Sequence, residues 1–272
     1  MIDRNSRLLH GLDLTAEGIE IGPSFAPLAP KSAGYRTTVV DHASRSELVA
    51  KYSGHSVDTR RIEDVDVVWT TGTLADAVKR RGDFHWVIAS HVIEHVADLI
   101  GFLNDCDEVI AEGGILSLAV PDRRYCFDYY RHPTSLSAVI DAHVAHQNKR
   151  KRSPGTVAEH FLNAVLSDNA IAWSQGRMGV LAFAHQPSQA KALMELAMSS
   201  TGYIDCHAWV FTPSTFRLLV EDLYVLGFIR LRETRFYDSQ GCEFIIALSR
   251  NGKGSGLDRL KLLERGRQEA ID

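Results

Sequence analysis

A chain of 272 residues with 45% hydrophobic content can bury one large core, and it fits one domain with an insertion better than two independent domains. The formal charge of −4 gives no reason to expect nucleic acid as a partner. No apolar run reaches the roughly 18 residues of a membrane span and the segment 1–13 is too charged for a secretory leader, so the default expectation is a cytoplasmic location. Cys106, Cys126, Cys206 and Cys242 stand far apart with no C-x-x-C pair, which argues against a disulfide framework or a zinc knuckle.

In chain order, Gly18-Ile19-Glu20-Ile21-Gly22 predicts a strand that breaks at Gly22-Pro23-Ser24. A second strand, 37–40, ends at Asp41. An acidic residue about twenty positions past a glycine turn is placed to accept both hydroxyls of a ribose. A third strand spans 65–69 and leads into Thr70-Thr71-Gly72.

Residues 84–122 carry the strongest pattern. Trp86-Val87-Ile88-Ala89 is short, apolar and rich in β-branched residues, as a strand buried on both faces should be. From Val92 to Ile110 the apolar positions fall at helical spacing, Gly113-Gly114 predicts the helix stop, and 115–120 predicts a strand closed by Pro121. Such a unit implies a right-handed parallel crossover with ligands at the carboxyl ends of its strands, which puts Ser90, His91 and Asp122 on the rim.

Beyond Arg124 the strand pattern stops. Residues 125–206 show helical stretches at 135–147 and 189–198 but no alternation, and are read as a helical cap inserted over the strand ends. The sheet is expected to resume at 207–211, with Thr212 as N-cap and Pro213 opening a helix over 214–226 that stops at Gly227. Strands at 228–236 and 242–248 flank a hairpin-like turn, and the tail offers a short amphipathic helix at best through Leu257, Leu260 and Leu263. The expected organisation is a cofactor-binding core at 1–124, an acceptor-side cap at 125–206, completion of the core sheet at 207–250 and a polar tail at 251–272.

The Glu20 to Ser24 turn, Asp41, and His91-Val92-Ile93-Glu94-His95 after the fourth strand together resemble the small-molecule branch of the class I S-adenosylmethionine-dependent methyltransferases, over 18–122 and 207–250. The resemblance implies an α/β, Rossmann-like fold: a seven-stranded sheet with helices on both faces and an antiparallel last strand. It implies S-adenosylmethionine as cofactor and S-adenosylhomocysteine as product. Glu20, Gly22, Pro23 and Ser24 would hold the methionine end, Asp41 the ribose with His42 also at the cofactor, and Thr70 or a backbone carbonyl the adenine. Ser90 and His91 would lie beside the sulfur and adenine, with His95 beneath. Two departures stand out. The acidic-x-Gly-x-Gly-x-Gly loop keeps only Gly22, and Thr70-Thr71-Gly72 stands where the family often carries an acidic residue. The Gly-Pro-Ser loop resembles that of methyltransferase-like proteins of sugar and polysaccharide pathways.

His91-Val92-Ile93-Glu94-His95 also matches the H-x-x-E-H pattern of inverted zinc peptidases, but it begins at a strand end, and no metal site is expected from it. Methyl transfer to a hydroxyl needs a base near the acceptor, and the histidine-rich cap supplies His143, His146 and His160 as candidates. Lys149-Arg150-Lys151-Arg152 is either a solvated loop or a clamp for a phosphorylated acceptor. Trp86 and Trp209 read as core, and Trp173 as a saccharide platform. The expected function is methyl transfer to a small polar acceptor, a sugar or glycan hydroxyl favoured, with no nucleic acid, no membrane span and the oligomeric state open. A non-catalytic module of the same fold, binding a glycan or a partner enzyme, is the second reading. A nicotinamide enzyme is disfavoured by the missing G-x-G-x-x-G and Tyr-x-x-x-Lys patterns, and Asp64-Val65-Asp66 is too common a spacing to indicate a glycosyltransferase.

Overall fold

The computed structural model describes residues 3–146, 153–200 and 202–271, the side chain of His146 excepted. Its main sheet holds β1 (Gly18–Ile21), β2 (Thr37–Asp41), β3 (Val67–Val68), β4 (Phe84–Ser90) and β5 (Ile110–Pro121), joined by β8 (Arg232–Gln240) and β9 (Glu243–Ser249). The strand order is β3-β2-β1-β4-β5-β9-β8, parallel from β3 to β5, with β9 reversed between β5 and β8 so that β8 runs with the parallel strands. This is the α/β fold and the seven-stranded sheet that the resemblance implies. A separate hairpin pairs β6 (Val165–Ser167) with β7 (Leu181–Phe183) inside the segment expected to be wholly helical.

Apolar residues on both faces bury the central strands. Along β4 the side chains alternate: Trp86 and Ile88 enter a core shared with Leu8 of α1 (Arg4–Leu9), whereas Val87 and Ala89 enter the larger core on the opposite face. That larger core takes residues from α3 (Leu74–Val78), α4 (Leu99–Val109) and α8 (Pro213–Val225). α2 (Arg45–Tyr52) starts with a reciprocal cap between Ser44 and Glu47. Gly18 faces Trp86 across the β1–β4 pair, and a Cβ there would come within 1.9 Å of the indole. Because Trp86 is fully buried and cannot retreat, Gly18→Ala is expected to destabilise by about 1–3 kcal/mol or more, read as a lower urea midpoint at unchanged slope.

Four boundaries differ from those the sequence predicts. The helix expected from Val92 is a 3-10 turn at Ile93–His95 followed by extended chain, and α4 begins only after Asp98, whose carboxylate caps Gly101 N at 2.9 Å. Val92 and Val96 pack on the core without being helical, which explains their misleading spacing. Gly113 and Gly114 do not end a helix but lie inside β5, where the register jumps from Phe84↔Ile110 to Trp86↔Ile115. Gly113 takes φ +76° there, and a Cβ on Gly114 would crowd the carbonyls of His85 and Ala111. Residues 207–211 are not a strand: only Phe211 bridges the sheet, at Asp122. β8 starts at Arg232, later than expected.

The segment after β5 contains α5 (Leu136–His146), α6 (Pro154–Asn163) and α7 (Pro187–Ser199), of which α6 had no clear sequence signal. The tail forms a full helix, α9 (Arg259–Ile271), buried on α8 at Leu262 and Gly266. Its Glu269 accepts from Ser214 N and Oγ at the start of α8, which satisfies donors that a helix N-terminus leaves open. No helix among the described residues is long and apolar enough to cross a membrane.

Candidate active site

The carboxyl ends of β1, β2 and β4 lie side by side, because parallel strands deliver their ends to one edge. At the end of β1, Glu20 is buried and both its oxygens are occupied, by Leu28 N at 2.8 Å and Ala29 N at 3.0 Å. Burial pushes this carboxyl up against the effect of those two amides. Glu20 therefore staples the 22–29 loop to the sheet instead of reaching outward, a correction to its expected role in direct ligand contact. Gly22 (φ +64°) and Ser24 (φ +46°) are both left-handed, and a Cβ on Gly22 would lie 3.0 Å from Val92. Pro23 closes the turn by accepting from Ala26 N. The Ser24 hydroxyl is buried without a hydrogen-bond partner.

At the end of β2, Asp41 is buried, and its Oδ1 takes both His42 N at 2.7 Å and the His42 imidazole at 2.6 Å. The His42 ring stacks on Tyr203. Thr70 sits exposed in the loop after β3.

The end of β4 is knitted to distant parts of the chain. Ser90 Oγ accepts from Arg4 Nη2 at 2.7 Å, and Arg4 also forks onto Glu243 at the start of β9. His91, in a left-handed conformation (φ +56°), donates from Nε2 to the same Glu243 at 2.7 Å. Burial works to lower the His91 pKa, but the bond to Glu243 and the contact with Glu94 outweigh it and raise it to about 9. Burial likewise opposes ionisation of Glu243, and His91 with Arg4 overcomes it, down to about 2. A carboxylate held at about 2 against an ordinary 4.5 stabilises the fold above pH 4.5, and that contribution is lost as pH falls towards 2. Glu243→Gln should thus flatten the acid limb of stability, measured as urea midpoints from about pH 5 down to 2.5.

Beside His91 opens a cavity of about 410 Å³ bordered by Glu94, His95, His160, Asp205 and His207, with Phe127 and Ile171 from the segment after β5 on its wall. His207 Nδ1 donates to Asp128 Oδ2 at 2.5 Å, and Asp128 Oδ1 accepts from the buried Arg131 at 2.8 Å. Burial of Asp128 is outweighed by His207 and Arg131, which bring it to about 2. His95 Nδ1 lies 3.1 Å from Asp205 Oδ1, and this contact sets Asp205 well below the usual carboxylate range. Glu94 is fully buried, yet the surrounding His91, His95 and His207 keep it ionised against that burial.

Of the three expected bases, His160 borders the cavity, but its Nδ1 already accepts from His207 N at 3.3 Å and burial lowers its pKa to about 3. The neutral ring then carries its proton on Nε2 and can only donate, so it is not equipped as a base. His143 pairs with Asp98 at 2.9 Å, edge-on to Phe228, and is not among the residues bordering the cavity. The His146 side chain and residues 149–152 lie outside the described residues. Trp173 is buried against Tyr129 and offers little open ring for a sugar. Sequence reading missed Arg4, Asp128, Asp205, His207 and Glu243. Little local marks them, since the contacts that draw them into the site span 79 to 239 positions, beside short-range ones such as Asp128 to Arg131.

No family profile matches the chain. Over 121 residues it is 31% identical to the ubiquinone biosynthesis O-methyltransferase of Methylocella silvestris, a stretch that is 43% of each chain, so it spans less than half the length of this curated relative. Among solved structures, it resembles a SAM-dependent methyltransferase from Aquifex aeolicus at 11% identity and a TM-score of 0.41, covering 91% of this chain and 93% of that one. A Rhodobacter sphaeroides protein provisionally described as a zinc-dependent alcohol dehydrogenase aligns at 15% identity and a TM-score of 0.44, covering 91% and 89%. In sequence, then, the chain is similar to a methyltransferase over part of its length, and its sheet has the seven strands and the antiparallel last strand that such a likeness implies.

Proposed function

We propose that this chain is an S-adenosylmethionine-dependent methyltransferase whose acceptor, a small polar molecule with a sugar or glycan hydroxyl favoured, occupies the cavity beside His91. The observation that carries the reading is the buried Asp41 carboxylate at the end of β2, next to the tight Gly22 turn at the end of β1. The methyltransferase-like stretch supports it. A nucleoside with two ribose hydroxyls needs that pairing of a close-approach turn with an acidic residue.

Bound S-adenosylmethionine supplies the methyl group. Asp41 and His42 hold the ribose, Gly22, Pro23 and the unpartnered Ser24 hydroxyl receive the methionine end, and Thr70 meets the adenine. Glu20 acts by fixing the loop that carries them. Ser90, His91 and His95 line the passage to the acceptor, with His91 as an imidazolium that orients electronegative groups. Residues 1–124 and 207–250 serve the cofactor, and 125–206 cover the acceptor and exclude water. Rate then comes largely from holding two reactants in line in a dry site. Activation of a hydroxyl falls to Glu94, His95 and His207, the densest set of lone pairs on the cavity wall. A surface of imidazoles and carboxylates fits a hydroxyl-bearing acceptor better than an apolar one.

Calorimetric titration with S-adenosylmethionine and S-adenosylhomocysteine, followed by a methyl-transfer screen over sugars and glycans, tests the reading. Saturable binding of both ligands is expected. Absence of binding to either would overturn it and favour a non-catalytic module of the same fold.

A further inference from the structure

We propose that Glu94, His95 and His207 form a binding site for a divalent first-row transition metal, open towards the cavity at the carboxyl end of β4. One ligand atom from each lies within 4.8 Å of the others, and both histidine Nε2 atoms stand 3.9 Å from Glu94 Oε1. Ligands at about 2.0–2.1 Å from a tetrahedral ion are about 3.3 Å apart, so binding needs the side chains to close in by about an ångström.

Three further observations point to a cation. Glu94 is completely buried, and neither of its oxygens accepts a hydrogen bond; His91 Nδ1 faces it at 3.4 Å, while the Nε2 of that ring is bonded to Glu243. A buried carboxylate short of hydrogen bonds is costly, and a metal cation bound directly to it offsets more of that cost than an imidazolium at 3.4 Å. Each histidine has a carboxylate beside Nδ1: His207 Nδ1 is hydrogen-bonded to Asp128 Oδ2, and His95 Nδ1 stands 3.1 Å from Asp205 Oδ1, with the Nε2 of each ring on the side of Glu94. That is the outer-shell arrangement of histidines that bind metals. Finally, the two ligand-bearing segments are locked together: Glu94 O accepts from Ala208 N at 2.7 Å and Trp209 N at 3.2 Å, while Trp209 Nε1 donates to Val96 O.

Two imidazoles and one carboxylate select zinc, iron, cobalt or nickel over magnesium or calcium, which prefer all-oxygen shells. Three protein ligands leave coordination positions free on the cavity side. The peptidase-like motif thus supplies Glu94 and His95 but not its first histidine, and the third ligand comes from residue 207, in contrast to the expectation of no metal. The site itself is independent of the proposed methyl transfer. Its use rests on that reading: an acceptor hydroxyl, with a second oxygen beside it, that reaches the ion loses its proton more readily.

The test uses the full chain, freed of any affinity tag and purified without chelator, with metal content measured by mass spectrometry and S-adenosylmethionine binding measured on the same sample. About one equivalent of metal per chain is expected, and cobalt added after chelator treatment should give visible absorption bands of a low-coordinate site. Glu94→Gln and His207→Ala should lose both, and Asp128→Asn should weaken cobalt affinity by about 10–100-fold. Should a variant fail to fold, the cobalt titration of the unaltered chain decides alone. Less than about a tenth of an equivalent with no cobalt bands, in protein that binds S-adenosylmethionine, overturns the metal site and leaves the methyltransferase reading intact. Metal without S-adenosylmethionine binding supports the site and overturns the other reading.

Discussion

Asp41→Ala is expected to weaken S-adenosylmethionine binding by at least about a hundredfold. The side chain is buried at the end of β2 and already fixed by two contacts to His42, both on Oδ1, so it loses little freedom when a ligand arrives. Each charge-assisted hydrogen bond to a ribose hydroxyl contributes roughly 1.5–3 kcal/mol, and two of them span about 3–6 kcal/mol, or roughly two to four decades in affinity. Asp41→Asn keeps the shape but replaces an acceptor by a donor, and should fall between the two. Calorimetry of all three proteins, with melting curves to exclude unfolding, makes the comparison. An affinity for Asp41→Ala within about threefold of the unaltered chain would remove Asp41 from the cofactor site.

The largest expected loss of stability comes from Asp128→Ala, at about 3–5 kcal/mol, because it strips a buried guanidinium of its main partner. Arg131 is 2% exposed, its Nη1 pairs with Asp128 at 2.8 Å and with His207 O at 3.0 Å, and Glu159 reaches only its other end at 3.4 Å. The same change leaves the His207 ring without the carboxylate that orients it. A fall in melting temperature of about 10 °C is the readout. Asp58→Ala is the control: its partner Arg60 is almost wholly exposed, and solvent screening should leave melting unchanged. A shift as small as that of the control would show that the Asp128 cluster is solvated in solution.

The parallel core was legible because burial on both faces leaves short runs of apolar residues, as in 86–89 of β4. The places of Gly22 just past β1 and of Asp41 at the end of β2 were legible for a similar reason, since both follow from spacing along one unit of adjacent strands. The turn at 93–95 was not, because Val92 and Val96 owe their spacing to core packing, and periodicity alone cannot separate that from a helix. Residues 207–211 read as a strand from the apolar run Ala208 to Phe211, yet the amides of Ala208 and Trp209 go to Glu94 O and that of Val210 to Thr134 Oγ1 instead of a neighbouring strand. Most of the charged apparatus was invisible in principle. Glu243 is drawn to His91 across 152 positions, and only the folded sheet, which inserts β9 between β5 and β8, brings them together.

That insertion also governs the order of assembly during synthesis. The ribosome can release β1 to β5 and let them pair as a parallel unit, but Arg4 and His91 must then wait for Glu243 to emerge. Until it does, two basic side chains sit together at the mouth of the incipient site without their shared counterion. Completion of this edge of the candidate site is therefore a late event, coupled to insertion of β9, and a nascent chain truncated before residue 243 carries the scaffold without the carboxylate that joins Arg4 to His91.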